Sequence, residues 1–417
     1  MTRMLGLLAG SVAAIALGAC GEKPAPAPAP APEVAAVPTI APDPAQGDGG
    51  LTDFYNPGGP APADAGKIIR AEAQPESVSL ADAGSATRIL YSSKDGLDGK
   101  TPVAVSGVLF TPKGEAPAEG WPLIAWAHGT VGIADVCAPS WTKRSERDAA
   151  YLGHWLKQGY AVVASDYQGL GTPGGHPYLA TRPAAWSVLD SIRAVQGDPQ
   201  YKIGKPVVLV GQSQGGGAAF ATAAEAASYA PELDIRGTVA TGTPYFTATV
   251  APADRDPNKV SGVFAYTLYI LYLVEQADPE FHISDYITEK AKPVIETTRT
   301  ACLTPAWDQI EKEGLSQANA FTKDPTPVVA KYFPLMSYST LKVKGPVFMG
   351  TGGKDQDVPA PGQDRLFKDA CAAGAVIERH VYPALDHSGT VNGSLKDSTP
   401  FVKKAFAGEA IAGNCGK

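Results

Sequence analysis

The stretch VVLVGQSQGGGAAF, residues 207–220, passes from apolar β-forming residues into glycines and then into small helix-forming residues. Ser213 stands between glycines two positions before it and two positions after it. A strand that turns abruptly into a helix crowds its own backbone, so the positions that flank the corner must be small. This is the spacing of a nucleophile elbow. A motif this short also arises by chance, so the rest of the chain must support it.

Short, continuously apolar runs recur along the chain and are typical of strands buried on both faces. They are PLIAWAHG, YAVVASDY, KPVVLVGQ, RGTVATGTP, GPVFMGTGG and AVIERHVYP. Amphipathic segments such as RDAAYLGHWLKQG and AAWSVLDSIRAVQG lie between them. Two earlier runs, TRILYSS and PVAVSGVLFTP, predict antiparallel strands. The alternation predicts an α/β fold with a mostly parallel central sheet and helices on both faces.

The alternation of strands and helices stops near Pro244 and returns only at Val347. The interval is rich in aromatic and helix-forming residues, as in GVFAYTLYILYLVEQA. We interpret residues 245–340 as an inserted helical cap, so that the core of the fold comprises residues 51–244 and 341–417. The Tyr-rich run either forms the interior of the cap or also lines a pocket for an acyl chain.

The N-terminal region is predicted to be a targeting segment rather than part of the fold. Residues 1–19 have a short cationic start and an apolar run too short to span a membrane, which is typical of a signal peptide. The run ends in LGAC at Cys20, which resembles a bacterial lipobox with Cys20 as the lipidated residue. An ordinary signal peptide with a chance cysteine is the alternative. Gly21 follows in place of aspartate, which indicates outer-membrane sorting, with the protein facing the periplasm or the exterior.

The segment after the cysteine is predicted to be an extended linker. Residues 20–50 contain a Pro-Ala repeat, which cannot build a core and favours polyproline geometry. Such a linker would hold the folded part away from a membrane surface, or act as a plain disordered spacer.

Four cysteines follow Cys20, and an even number in an exported chain predicts two disulfides. Three pairings are possible. We favour Cys137 with Cys302 and Cys371 with Cys415, since the second pair closes a local C-terminal loop. Free buried thiols are the alternative.

A serine hydroxyl is a poor nucleophile at neutral pH and needs a base, which a carboxylate orients. In sheets of this kind these residues follow in the order Ser, Asp or Glu, His. After Ser213, the strand PVFMGTGG leads into KDQDVPAP, which contains Asp355 and Asp357. Both lie just past the carboxyl end of a strand, where ligands bind. We favour Asp355 as the acid, because its spacing to Val358 and Pro359 matches the pattern of many hydrolases, and keep Asp357 as the alternative.

Two histidines follow the candidate acids. His380 lies inside a predicted strand and is interpreted as structural, whereas His387 lies in the following loop, YPALDHSG, from which it can reach a serine. His387 is therefore the candidate general base. Its neighbour Asp386 is a competing candidate for the acid.

An acyl-transfer site also needs backbone N–H groups for the oxyanion. Gln214, directly after the nucleophile, is the first candidate, and the start of a helix adds a favourable field. The turn after the strand IAWA supplies the second, which we assign to Thr130 with Gly129 as the alternative. His176, in the glycine-rich stretch GTPGGHPYL, is expected in a surface turn, with a role at the rim of the pocket as the alternative.

Other function classes receive no support from the sequence. The net charge is −7 with no basic cluster, which argues against a nucleic-acid partner. No metal-ligand spacing, dinucleotide fingerprint or phosphate-binding loop occurs, so neither a metal nor a cofactor is implied.

Four motifs together resemble the secretory lipase family of α/β-hydrolases: GWPLIAWAHGTVGIADVCAPS, DYQGLGTPGGHPYL, GQSQGG and YPALDHSG, in this order. The resemblance covers about residues 85–400. It implies an α/β-hydrolase fold with a cap, a small-molecule or lipid ester as substrate, a triad of Ser213, Asp355 and His387, and Gln214 as an oxyanion donor. A peptidase or amidase with the same triad, and a binding module without catalysis, are the alternatives.

Overall fold

The computed structural model describes residues 51–247 and 256–416. The predicted signal peptide, Cys20 and the Pro-Ala linker lie outside the described residues. No helix within the described ranges combines the length and the apolar character needed to cross a membrane.

One nine-stranded sheet organises the described part of the chain. Its strands are β1 (Ile68–Ala73), β2 (Ser85–Lys94), β3 (Pro102–Thr111), β4 (Trp121–Ala127), β5 (Ala161–Ser165), β6 (Ile203–Gln212), β7 (Asp234–Thr241), β8 (Val347–Gly352) and β9 (Ile377–Tyr382). Their spatial order is β1-β2-β3-β5-β4-β6-β7-β8-β9.

The pairing of the strands confirms the predicted fold class. β2 and β3 pair antiparallel over their full length, as the two early runs predicted. β3 also pairs antiparallel with β5, whereas every pair from β5 and β4 through to β9 is parallel. All six continuously apolar runs lie in strands of this sheet. The architecture is that of an α/β-hydrolase, with a mostly parallel sheet preceded by an antiparallel edge.

Helices cover both faces of the sheet. They are α1 (Glu146–Lys157), α2 (Thr181–Gln196), α3 (Gln214–Tyr229), α10 (Ala360–Ala372), α11 (His387–Gly393) and α12 (Leu395–Ala407). Val207 and Leu209 of β6 pack in the core that includes α2 and α3, while Val208 and Val210 pack with α1 and α12. Alternate residues of one strand thus enter two separate apolar layers, which explains why the strand sequence shows no polar alternation.

The chain between β7 and β8 is helical where it is described. It contains α4 (Phe264–Ala277), α5 (Lys292–Thr300), α6 (Leu303–Glu313), α7 (Gln317–Ala320), α8 (Thr326–Val329) and α9 (Phe333–Met336). Leu268, Leu271 and Val274 of α4 are buried in an apolar cluster that this segment builds largely from its own residues. The Tyr-rich run is part of α4, and Tyr269 and Tyr272 are buried in the same cluster.

Two disulfides close loops of very different length, and both pairs are those favoured from the sequence. Cys371 bonds to Cys415, 44 residues away, and Cys137 bonds to Cys302, 165 residues away. The second bond joins the chain after β4 to the start of α6. Beside it, the backbone N–H of Leu303 donates to the carbonyl oxygen of Val131 at 2.8 Å. The helical segment is therefore fastened to the loop that follows β4.

Candidate active site

Ser213 occupies a strained corner between β6 and α3. Its backbone has φ 60° and ψ −125°, a conformation that residues with a side chain rarely adopt. Its N–H donates to the carbonyl oxygen of Thr241 at 2.9 Å, which holds the corner against the end of β7. The residue is 7% exposed. Within the described part of the chain, the Ser213 hydroxyl makes no hydrogen bond.

The glycines two residues away from Ser213 are required by close backbone contacts. A Cβ atom on Gly211 would overlap the carbonyl oxygen of Gly215, and a Cβ atom on Gly215 would overlap the carbonyl oxygen of Ala127 at the end of β4. Both contacts involve backbone, which cannot rotate away as a side chain can. The structure thus agrees with the steric argument made from the sequence spacing.

Replacing Gly215 with alanine is expected to lower the free energy of unfolding by about 3 kcal/mol, because the added methyl group forces α3 away from β4. Urea denaturation followed by circular dichroism measures the change. Gly362→Ala is the matched control, since no atom lies within 4 Å of the position of its Cβ and the residue lies inside α10. That variant is expected to be stabilised by about 0.5–1 kcal/mol. An equal effect of both substitutions would contradict the steric account.

His387 and Asp355 form a buried hydrogen-bonded pair at the same end of the sheet. His387 begins α11, and its Nδ1 lies 2.7 Å from Oδ2 of Asp355, which follows β8. Both side chains are buried. A carboxylate can only accept, so Nδ1 carries the proton and Nε2 of the neutral imidazole holds a lone pair.

Asp355 is held firmly from its other sides. Its Oδ1 accepts the backbone N–H groups of Asp357 at 3.0 Å and Val358 at 2.8 Å. Its Oδ2 also accepts a hydrogen bond from Nε2 of Gln363 at 3.1 Å. Four N–H donors therefore surround one carboxylate, which fixes its position.

The other two candidate acids are engaged elsewhere. Oδ1 of Asp357 accepts a hydrogen bond from the Tyr266 hydroxyl of α4 at 3.0 Å. The Asp386 side chain accepts the N–H of Gly389 and caps α11. Of the three carboxylates proposed from the sequence, Asp355 is the one bonded to His387.

One group of side chains in the described ranges has the composition of a metal site. Asp355, Asp357 and His387 each offer an atom within 4.8 Å of the others. The His387 nitrogen in this group is already bonded to Asp355, and both Asp355 oxygens accept N–H groups. The geometry is that of an oriented base, and we assign no metal to it.

Sequence reasoning missed two residues that contact His387. Gln212, directly before Ser213, places its Nε2 at 2.9 Å from Nε2 of His387. Since that ring nitrogen holds a lone pair, the glutamine amide donates to it. Gly242, which has φ +57°, packs against the imidazole so closely that a Cβ atom on it would lie 2.7 Å from Cε1 of His387. The x position of G-x-S-x-G carries no signal that would reveal such a contact, and neither does an isolated glycine after β7.

The loop after β4 packs against the start of α3. The carbonyl oxygens of Ala127 and His128 lie close to Gly215, one residue after Gln214. The Thr130 hydroxyl is paired with the hydroxyl of Tyr178 at 2.7 Å. The first residue of α3 is Gln214, so its N–H is among those that an α-helix leaves unpaired at its start.

His176 is buried, and the expectation of a surface turn was wrong. It is 3% exposed, and the loop containing it folds so tightly that a Cβ on Gly169 would overlap the carbonyl oxygen of Gly175. Its Nδ1 donates to the carbonyl oxygen of Gln168 at 2.9 Å, and its Nε2 lies 2.9 Å from Nε2 of Gln214. The glycines mark close packing here rather than an exposed turn.

Burial lowers the pKa of His176 to about 4. The unfolded chain, in which a histidine titrates near 6.5, therefore binds more protons than the folded chain between these two values. We expect the titration of this residue to lower the free energy of unfolding by about 2 kcal/mol when the pH falls from 7 to 5. Urea denaturation at both pH values tests this, with His176→Gln as the comparison. The pH-dependent loss of stability is expected to be smaller in the variant, and an identical loss in both proteins would contradict the assignment.

Comparison with known proteins supplies the family. The model of the secretory lipase family matches residues 137–412. The chain belongs to the secretory lipase family. Lipase A of Moesziomyces aphidis is 28% identical over 278 residues, which is 64% of this chain and 58% of that protein. A probable inactive lipase of Mycobacterium tuberculosis is 30% identical over 204 residues, 45% of this chain and 43% of that protein. The alignments thus span about half of these two relatives.

A solved lipase structure shares the fold of this chain. The crystal structure of Candida antarctica lipase A superposes with a TM-score of 0.71 at 24% identity, covering 88% of each chain. At this identity the likeness supports the α/β-hydrolase fold alone. The family-model match over residues 137–412, and not this structural likeness, confirms the resemblance to the secretory lipase family that the four motifs indicated.

Proposed function

We propose that the protein is a serine carboxylic ester hydrolase that acts through an acyl-enzyme on Ser213. The observation that carries the proposal is the buried hydrogen bond of 2.7 Å between His387 and Asp355. The imidazole of His387 also contacts Gln212, the residue directly before the strained Ser213. Membership of a lipase family agrees with this chemistry. The substrate class is a small-molecule or lipid ester, and the reaction requires neither a metal nor a cofactor.

In the proposed mechanism His387 is the general base and Asp355 orients it. In the resting state Gln212 contacts Nε2 of His387. During the reaction the lone pair on this nitrogen accepts the proton of the Ser213 hydroxyl, while the Ser213 oxygen attacks the ester carbonyl. Asp355 stabilises the imidazolium that forms. The alcohol then leaves with a proton from His387, and a water molecule repeats the sequence on the acyl-enzyme.

The backbone N–H groups of Gln214 and Thr130 are proposed as the oxyanion donors. Each such donor contributes about 2.7–4 kcal/mol to transition-state stabilisation in comparable enzymes. The packing of the loop after β4 against the start of α3 supports this pair. The disulfide between Cys137 and Cys302 supports it further, because it fastens the same loop to the helical segment.

We propose that residues 245–340 form a cap over this site, inserted between core parts 51–244 and 341–417. Two contacts favour a cap that is coupled to the catalytic loops. Tyr266 of α4 donates to Asp357, two residues after the proposed acid, and Leu303 bonds to Val131, one residue after Thr130.

An assay on two substrates tests the reaction class. A nitrophenyl ester is expected to be hydrolysed, whereas a proline anilide is expected to be a poor substrate, since no motif for recognising an amine is present. The reverse preference would favour the peptidase or amidase alternative.

The similarity to a probable inactive lipase makes the binding-module alternative worth testing directly. Absence of hydrolysis on every ester would favour that alternative.

We also propose that the protein is exported and anchored to a bacterial membrane, with outer-membrane sorting, through a lipid on Cys20. The sequence patterns that predict a signal peptide at residues 1–19 and a linker at residues 20–50 support this proposal. The Cys20→Ser variant is expected to move from the membrane fraction to the soluble fraction after cell fractionation. Retention of the variant in membranes at the wild-type level would contradict the anchor.

A further inference from the structure

The side chain of Gln212 occupies the ring nitrogen of His387 that must later accept a proton. Nδ1 of His387 donates to Asp355 at 2.7 Å, so Nε2 of the neutral ring holds one lone pair. The Gln212 amide donates to this lone pair at 2.9 Å. Ser213 directly follows Gln212, and within the part of the chain that the structure describes its hydroxyl is in no hydrogen bond. The base is therefore bonded to the residue before the nucleophile and not to the nucleophile.

The ring of His387 keeps its orientation without help from Gln212. The bond to Asp355 fixes Nδ1, and both of these side chains are buried. Gly242 packs against the ring as well, since a Cβ atom on it would lie 2.7 Å from Cε1 of His387. Loss of the Gln212 amide would therefore free the lone pair on Nε2 without releasing the ring.

The amide of Gln212 lies between His387 and the loop after β4. A Cβ atom on Gly129 would overlap Oε1 of Gln212, so a residue without a side chain at this position makes room for the amide. Gly129 directly precedes Thr130, a proposed oxyanion donor. Gln212 is 2% exposed. The amide thus has a defined place beside the base, held by a hydrogen bond at one end and by close packing at the other.

We propose that Gln212 is a positioning residue that keeps His387 disengaged from Ser213 in the free enzyme. The inference rests on the proposed function, in which Nε2 of His387 accepts the Ser213 proton. A single lone pair cannot accept from two donors at full strength, so the amide must leave before the hydroxyl bonds. Activation of the nucleophile is then an exchange of donors at Nε2, in which the Ser213 O–H replaces the Gln212 N–H.

The alternative is that Gln212 only fills space beside the ring. A substitution would then lower the reactivity of Ser213 through disturbed packing, or leave it unchanged. The proposal instead predicts effects of opposite sign for two substitutions of similar size, because one removes the donor and the other replaces it with an acceptor.

The test measures the second-order rate constant for labelling of Ser213 by a small fluorophosphonate at one mildly alkaline pH. Gln212→Met keeps the length of the side chain but cannot donate, so labelling is expected to be about three to ten times faster than in the wild type. Gln212→Glu presents a carboxylate, which can only accept and so favours a proton on Nε2. An imidazolium cannot take the Ser213 proton, and labelling is expected to be slower by about tenfold or more.

Gln74→Met is the matched control. Gln74 is also buried, and its amide donates to the carbonyl oxygen of Ser140 at 3.1 Å. The same substitution there removes one buried amide bond that does not involve His387, and labelling is expected to proceed at the wild-type rate. Urea denaturation of each variant shows whether it is folded.

A measurement on the wild-type protein does not depend on how the variants fold. In isotope-labelled protein, a hydrogen bond between two nitrogen atoms produces a scalar coupling between them that NMR detects. We expect this coupling between Nε2 of Gln212 and Nε2 of His387 in the free protein. The coupling is expected to disappear after the fluorophosphonate has reacted with Ser213, because the amide has then been displaced from the base.

The outcomes separate the inference from the proposed function. Labelling of Ser213 that is unchanged or slower in folded Gln212→Met, or a free wild-type protein without the coupling, would overturn the role of Gln212 and leave the proposed function intact. An equal rise in Gln74→Met would also overturn that role, since the effect would come from general loosening. Labelling of another residue in the wild type, or no labelling at all, would overturn the proposed function and the inference with it.

Discussion

Ser213→Ala is expected to lower kcat for a nitrophenyl ester by about 10⁵. The substitution removes the proposed attacking oxygen and leaves the His387–Asp355 pair and the proposed oxyanion donors in place. Alanine meets the same unfavourable backbone conformation as serine, so the free energy of unfolding is expected to change little. Initial rates and urea denaturation of the same preparation separate loss of chemistry from loss of fold.

A second serine beside the site provides the matched control. Ser388 follows the base directly, and its exposed hydroxyl accepts only a long hydrogen bond, 3.2 Å, from Arg147. Ser388→Ala is expected to keep kcat within a few-fold of wild type. A Ser213→Ala enzyme with full activity would place the nucleophile elsewhere, and a comparable loss in both variants would point to disturbance of α11.

Asp355→Asn is expected to lower kcat by about 10⁴. Every hydrogen bond to this carboxylate comes from a donor: His387, Gln363 and the N–H groups of Asp357 and Val358. An asparagine must turn its NH₂ group toward one of these donors, whichever way the amide lies. The arrangement that holds the Nδ1–H tautomer of His387 is then lost, and with it the lone pair on Nε2.

Asp357→Asn is the control that distinguishes the two carboxylates left open by the sequence. Asp357 accepts a hydrogen bond from Tyr266, and an asparagine oxygen accepts the same bond. We expect less than a tenfold loss of kcat. The assignment of the acid is wrong if Asp357→Asn is the more damaging substitution when both proteins are equally folded.

The strands and the elbow could be predicted because their sequences obey local rules. Strands buried on both faces must be apolar throughout, so the six runs stand out from the chain. The elbow needs small residues at fixed distances from Ser213, and the contacts of Gly211 and Gly215 show why. The chain order of serine, acid and histidine then left His387 as the candidate base, because His380 lies inside a strand.

Other features of the fold and the site depend on tertiary packing, and no local sequence pattern predicts them. β1 was not predicted, since most of its residues are exposed and its pattern is not that of a buried strand. Gln212 reaches His387 across 175 positions of sequence, a distance at which no periodicity helps. His176 was misjudged because glycine-rich stretches usually indicate exposed turns, whereas here Gly169 and Gly175 allow two backbone segments to touch.

Mass spectrometry after labelling with a fluorophosphonate tests the central claim most directly. The reagent modifies only a serine that a neighbouring base activates and so reports the elbow, His387 and Asp355 together. We predict one adduct per chain, mapped to the peptide containing Ser213, with labelling strongly slowed in Asp355→Asn. An adduct on another residue, or ester hydrolysis that continues with Ser213 unmodified, would contradict the account.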